Sequence, residues 1–81
     1  MRIDKFLKNS RIIKRRTVAK IACENERVKI NSIIAKPGTE VKIGDIVEIQ
    51  FGDKIVKFEV LSLKENTNKS NADELFRVVE G

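Results

Sequence analysis

Basic side chains recur through the first 30 residues at spacings that suit the face of a helix. Arg2 and Lys5 are three residues apart, and Arg16 and Lys20 are four apart, so each pair would lie on neighbouring turns. Guanidinium and ammonium groups bind phosphate oxygens, and an arginine can bind two oxygens at once where a lysine cannot. The pattern predicts a phosphate-binding surface with these candidate residues: Arg2, Lys5, Lys8, Arg11, Lys14, Arg15, Arg16 and Lys20.

Charge is divided unequally along the chain. Residues 1–30 contain ten basic and three acidic residues (+7), whereas residues 31–81 contain seven basic and nine acidic residues (−2). One basic end on a near-neutral remainder indicates a polyanionic partner met on one side of the molecule. Phe6 belongs to an apolar stripe, so aromatic stacking on unpaired bases is not expected, and structured RNA is the favoured partner. A charged face that contacts only water remains the alternative.

The sequence contains no group of residues suited to catalysis. Histidine is absent, and Gly38, Gly44 and Gly52 stand too far apart to form a phosphate-cradling loop. Cys23 falls among small apolar residues of a predicted helix, where a buried packing role is expected. We therefore expect a binding protein that is not an enzyme and that uses neither a cofactor nor a metal ion.

The sequence has no segment that resembles a secretory signal or a membrane-spanning helix. Charged residues occur within the first five positions, where a secretory signal needs an apolar run, and no stretch reaches the roughly 18 apolar residues of a membrane-spanning helix. A chain of 81 residues is long enough for one domain with a modest core. We expect a soluble cytoplasmic protein that does not contact a membrane.

Two short helices are predicted to carry the basic residues. Apolar residues at helical spacing predict a first helix over residues 3–9, and a second helix is predicted over about residues 15–25. The run Lys14-Arg15-Arg16 at the second N-terminus opposes the helix dipole, and an anion bound there would contact both cations and free N–H groups. The side chains expected to pack inward from the second helix are Val18, Ile21 and Ala22, with Ala19 and Cys23 as small partners.

The hydrophobic period changes from 3.6 to 2 after the second helix, which predicts a sheet. Brief strands are expected at residues 28–30 and at Ile34, followed by strands over residues 46–51 and 54–61 that flank the turn Gly52-Asp53. The predicted fold class is α+β, with two short N-terminal helices packed on a small, mainly antiparallel sheet.

The two-residue turn fixes the register of the long hairpin. Three cross-strand pairs are predicted: Phe51 with Lys54, Ile49 with Val56, and Val47 with Phe58.

Residues 64–73 are polar and predict a mobile loop. Apolar residues between 75 and 79 predict a final short element of undecided type that docks on the sheet. The predicted organisation is an RNA-binding domain over residues 1–63, followed by a polar loop and short C-terminal element over residues 64–81.

Five motifs in order carry a family resemblance. They are R-I-D-K-F-L (2–7), R-R-T-V-A-K (15–20), R-V-K-I-N (27–31), A-K-P (35–37) and V-K-I-G-D (41–45). Together they resemble the S-four RNA-binding domain, or αL module, over about residues 1–61. The chain length and the hairpin I-Q-F-G-D-K-I-V look most like the RqcP family of small ribosome-associated quality-control proteins, relatives of ribosome-associated heat-shock protein fifteen.

This resemblance implies a function on the ribosome. Proteins of that family bind the large ribosomal subunit when it is obstructed by peptidyl-tRNA, beside an RqcH-type factor that adds C-terminal alanine tails to stalled chains. Arg2 and Arg16 match the family's arginines at rRNA and tRNA, and Lys5, Arg11 and Arg15 match its flanking basic positions. A monomer is expected. Two alternatives remain open: heat-shock-fifteen-like subunit recycling, and an RNA-binding accessory of an rRNA-modifying enzyme.

Two positions depart from the family's pattern. Glu26 stands where a glycine usually ends the second helix, and Ser32 stands where a glycine usually follows Asn31. A residue other than glycine in the left-handed conformation costs roughly 1 kcal/mol, unless Asn25 adopts that conformation in place of Glu26. Both departures concern turn geometry and lie outside the predicted phosphate-binding surface.

Overall fold

The basic N-terminal segment forms two helices. The computed structural model describes residues 1–64 and 72–79, with helix α1 at Ile3–Asn9 and helix α2 at Arg16–Glu24. Ile3, Phe6 and Leu7 are fully buried on one side of α1, as their helical spacing predicts. Neither helix has the length and apolar composition needed to cross a membrane.

Among the described residues, five antiparallel strands form one sheet. The strands occur in the spatial order β2-β1-β3-β4-β5. Their bounds are Val28–Ile30 (β1), Ile33–Ile34 (β2), Ile46–Phe51 (β3), Lys54–Val60 (β4) and Phe76–Val79 (β5), and a 3-10 helix at Ala72–Leu75 precedes β5. The α+β prediction is confirmed. The undecided C-terminal element is a strand that pairs with β4, and most of the predicted mobile loop lies outside the described residues.

The predicted register of the β3–β4 hairpin is confirmed at all three pairs, including Val47 opposite Phe58. This register puts the buried side chains of Val47, Ile49 and Phe58 on one face, which α1 contacts through Phe6. Phe58 is the centre of that contact, because its ring lies 6.2 Å from the ring of Phe6 and 5.5 Å from that of Phe76. The core therefore lies between α1 and the sheet.

The inward-facing side of α2 differs from the predicted one. Ala19 and Cys23 are buried, whereas Val18 is 49% exposed and Ile21 is 54% exposed, so the prediction that the two larger side chains pack inward is wrong. Helix α2 packs chiefly on α1. The two small side chains on that side suit the close approach of one helix to another, and the bulky aliphatic ones are left on the outer side.

The end of α2 is closed by a residue in the left-handed conformation. Glu26 has φ of 61°, whereas Asn25 has φ of −89°. The N–H of Glu26 donates to Cys23 O at 3.0 Å and the N–H of Arg27 donates to Ala22 O at 3.0 Å, which is the Schellman pattern of helix termination. The strain expected for a missing glycine therefore falls on Glu26 itself.

Glu26→Gly is expected to stabilise the protein by roughly 0.5–1 kcal/mol. Glycine removes the cost of a left-handed Cβ, and its larger unfolded-state entropy cancels only part of that gain. Urea denaturation followed by far-UV circular dichroism measures the effect. Asn25→Gly is the matched control, and because Asn25 has a negative φ it should not stabilise. A loss of stability in Glu26→Gly would contradict the strain assigned to this position.

Candidate nucleic-acid interface

The loop after β2 fixes the start of α1 and hence the position of Arg2. The N–H of Ile3 donates to Thr39 O at 2.8 Å, and the N–H of Val41 donates to Met1 O at 2.9 Å. Arg2 itself forms an isolated antiparallel bridge with Glu40. These backbone contacts hold the N-terminus against residues 39–41, so the Arg2 side chain leaves the chain at a defined point.

A buried carboxylate lies between the two helices. Asp4 is 2% exposed, although it belongs to the charged first turn of α1. Its Oδ2 accepts a hydrogen bond from Arg2 Nη2 at 3.1 Å, and its Oδ1 lies 3.6 Å from Arg16 Nη2. The backbone N–H of Lys5 also donates to Oδ1 at 2.8 Å. One carboxylate thus contacts the residue that precedes α1 and the first residue of α2.

Arg2 and Arg16 keep most of their hydrogen-bonding capacity for an external ligand. Their side chains are 50% and 48% exposed, and each contacts Asp4 through Nη2. A guanidinium group has five N–H donors in a rigid fork. The outward donors of the two groups can therefore bind anionic oxygens while the inward ones remain paired.

The other predicted site residues surround this pair. Lys5 is half-buried; the remaining five are exposed and, within the described part of the chain, make no ion pair. These five are Lys8 in the last turn of α1, Arg11 just after it, Lys14 and Arg15 just before α2, and Lys20 on α2. The structure joins Arg2 and Arg16 through a common partner, Asp4. We call the eight predicted residues together the basic face.

Both helices begin without a conventional cap. The N-cap residues are Arg2 for α1 and Arg15 for α2, and neither side chain makes a capping hydrogen bond. Serine, threonine, aspartate or asparagine would stabilise these positions by about 1 kcal/mol relative to residues that do not cap. Helix α2 also lacks an acidic residue in its first turn, so its N-terminal dipole is met by cations. Arginine at both positions is therefore unfavourable for the helices and favourable for binding an anion.

Sequence patterns missed two contributors to this region. Asp4 interrupts an apolar stripe, and nothing local indicates that it would be buried against residues from two helices. Gly38 lies beside the Arg2 guanidinium, where an added Cβ would come within 3.9 Å of it. Both contacts depend on long-range chain approach, which one-dimensional spacing does not encode.

Cys23 is buried, as predicted, and lies outside the basic face. The pKa of the Cys23 thiol is raised from 9.0 to about 11. Burial is the largest cause, and the negative charges of Asp4 and Glu24 contribute the rest. Among the described residues, no three His, Cys, Asp or Glu side chains are grouped to hold a metal ion. The thiol is therefore protonated and sheltered near neutral pH, which suits packing and not nucleophilic chemistry.

The raised pKa predicts a loss of stability at alkaline pH. The unfolded thiol ionises near pH 9 and the folded one near pH 11, so its contribution to stability is complete below pH 9 and falls as the pH rises towards 11. We expect the difference in Tm between the wild-type protein and Cys23→Ala to be constant from pH 7 to 8.5 and to shrink above pH 9. Thermal melts across this range test it, and a constant difference up to pH 10.5 would refute the burial effect.

Comparison with known proteins identifies the family of this chain. The family model described as S4 domain matches residues 1–47. A protein of Streptococcus pneumoniae named RQC P-site tRNA stabilizing factor is 48% identical over 79 residues, which cover 98% of this chain and 90% of the relative. A protein of Listeria monocytogenes with the same name is 50% identical over 80 residues, which cover 99% of this chain and 87% of the relative.

A solved structure has a similar fold. Heat Shock Protein 15 of Vibrio cholerae, described as trimeric, superposes with a TM-score of 0.88 at 26% identity, over 98% of this chain and 81% of that one. The family model spans both helices and the start of the sheet, and the named relatives match nearly the whole chain. The chain therefore belongs to the S4 domain family, among the small members that include the RQC P-site tRNA stabilizing factors.

Proposed function

We propose that this protein binds rRNA and tRNA on the large ribosomal subunit through the basic face. The observation that carries the proposal is the pair of half-exposed arginines held at one buried carboxylate. Phosphate is the ligand that suits outward-facing guanidinium groups on a face with a strong excess of cations. The protein acts in the cytoplasm as a monomer, by binding and not by catalysis.

The names of the relatives indicate which ribosomal complex is bound. Two relatives near 50% identity are called P-site tRNA stabilizing factors. We propose that this chain likewise binds large subunits obstructed by peptidyl-tRNA and holds the tRNA while an RqcH-type factor adds alanine tails. Residues 1–63 form the proposed RNA-binding unit, in which Arg2 and Arg16 contact RNA directly. The proposed surrounding contacts are Lys5, Lys8, Arg11, Lys14, Arg15 and Lys20.

Affinity capture tests this function. Tagged protein, retained on resin at modest salt, is expected to recover large subunits that carry peptidyl-tRNA together with the RqcH-type factor. Pre-treating the lysate to release peptidyl-tRNA is the control, and it should reduce recovery of both. Capture of small subunits alone, or of large subunits with no preference for peptidyl-tRNA, would contradict the proposed role.

Subunit recycling without tailing is the second candidate, favoured by the structural match to Heat Shock Protein 15. The two functions differ in their products. Deletion of the gene should abolish C-terminal alanine tails on stalled chains if the protein supports tailing. Deletion should leave the tails and cause obstructed subunits to accumulate if the protein serves recycling alone.

A further inference from the structure

We infer that Asp4 is the positioning residue of the RNA site, and that Arg2, Asp4 and Arg16 act as one unit that presents two oriented guanidinium groups to backbone phosphates. This inference rests on the proposed function. It adds Asp4, whose negative charge is opposite to the charge of the basic residues proposed to contact the RNA. Acidic residues are normally excluded from phosphate-binding surfaces, because they repel the ligand. A buried one at the centre of this surface therefore requires a structural reason.

The geometry supplies that reason. Asp4 Oδ2 accepts from Arg2 Nη2 at 3.1 Å and Oδ1 lies 3.6 Å from Arg16 Nη2, so each carboxylate oxygen faces one guanidinium group. Oδ1 is itself fixed by the N–H of Lys5 at 2.8 Å. Arginine side chains are long and lose much rotamer freedom when they bind a ligand. A rigid partner on the inner side reduces that loss before RNA arrives.

The negative charge of Asp4 has two effects on binding, because it orients the arginines and it repels phosphate. The burial of Asp4 determines which of these effects is larger. The carboxylate is 2% exposed, and two half-exposed guanidinium groups flank it. Its negative charge is offset locally by the two cations, so the trio keeps a net positive charge towards solvent. Orientation of the arginines is then the larger consequence of Asp4 for binding, and repulsion of phosphate is the smaller one.

Asp4→Asn gives a test in which the two effects have opposite signs. The substitution preserves the shape of the side chain and raises the net charge by one. If charge alone governs binding, the variant should bind RNA more tightly. If Asp4 positions the arginines, affinity should fall about tenfold, the loss expected when a charge-assisted phosphate contact is no longer aligned. Glu24→Gln is the matched control, because it makes the same charge change at an exposed position of α2.

The measurement is co-sedimentation with purified bacterial large subunits carrying peptidyl-tRNA, over a salt series. We expect Asp4→Asn to weaken binding and to reduce the magnitude of the log–log salt slope by about one, which indicates a lost phosphate contact. Glu24→Gln should bind within about twofold of wild type, because an exposed charge is largely screened. Far-UV circular dichroism at the assay temperature establishes that each variant is folded.

A second variant covers the case in which Asp4→Asn does not fold. Arg16→Lys keeps the charge but lacks the rigid fork, so an oriented unit predicts about a fivefold loss and diffuse charge predicts none. Wild-type or tighter binding by folded Asp4→Asn, or wild-type binding by Arg16→Lys where Asp4→Asn is unfolded, would overturn the inference. Failure of the wild-type protein to bind subunits at all would instead overturn the proposed function, and the inference with it.

Discussion

The double variant Arg2→Ala, Arg16→Ala is expected to bind large ribosomal subunits at least about a hundredfold more weakly than wild type. Each guanidinium group can supply charge-assisted hydrogen bonds worth about 1.5–3 kcal/mol, and 1.4 kcal/mol corresponds to a tenfold change in Kd. Both side chains are about half exposed at one place on the surface. Binding curves at fixed salt, from co-sedimentation or fluorescence anisotropy, measure the loss.

The same double variant also loses stability, and this effect must be separated from binding. Without these two arginines, the buried Asp4 loses both guanidinium contacts and keeps the hydrogen bond from the Lys5 N–H. We expect a cost of about 1–3 kcal/mol, below the value for a fully buried pair because both arginines are half exposed. Adding Asp4→Asn should restore stability in this background without restoring affinity. Recovery of affinity together with stability would mean that the arginines serve the fold and not the RNA.

The second large effect is on the core, where Phe58→Ala is expected to destabilise the protein by about 3–5 kcal/mol. Phe58 is fully buried and lies between the rings of Phe6 and Phe76, so truncation removes two aromatic contacts and leaves a cavity. A domain of this size has a total stability of about 4–12 kcal/mol. The variant should therefore be partly unfolded near 37 °C.

Phe51→Ala is the matched control for the core prediction. Phe51 is 43% exposed at the tip of the β3–β4 hairpin, so its truncation should cost less than about 1 kcal/mol. Urea denaturation followed by far-UV circular dichroism compares the two variants. Equal losses would mean that the centre of the core does not lie at Phe58.

Local patterns were sufficient for α1 and for the β3–β4 hairpin, but not for the type of the C-terminal element. The spacing of Ile3, Phe6 and Leu7 defined α1, and the two-residue turn at Gly52-Asp53 fixed the register of the hairpin. Both features depend on interactions between residues close in sequence. The inner side of α2 was not predictable in this way, because the helix carries small and large apolar residues on different sides, and only its close approach to α1 selects the small ones.

The basic face shows the same division between local and long-range information. Composition and spacing indicated which cations to consider, including Arg2 and Arg16. They did not indicate that Asp4 would be buried between these two arginines, because that contact joins the start of α1 to the start of α2. The N-terminal anchoring to residues 39–41 is likewise a product of tertiary structure.

The salt dependence of binding to large subunits tests the phosphate-binding face most directly. About five or six phosphate contacts predict a log–log slope of roughly −4 to −5 for the wild-type protein, from about 0.7–0.9 per contact. Arg2→Ala and Arg16→Ala should each reduce the magnitude by about one, whereas Lys57→Ala and Lys64→Ala should leave it unchanged, because Lys57 pairs with Glu48 in the sheet and Lys64 follows β4. Equal reductions for all four variants, or a wild-type slope near zero, would contradict a phosphate-binding face centred on Arg2 and Arg16.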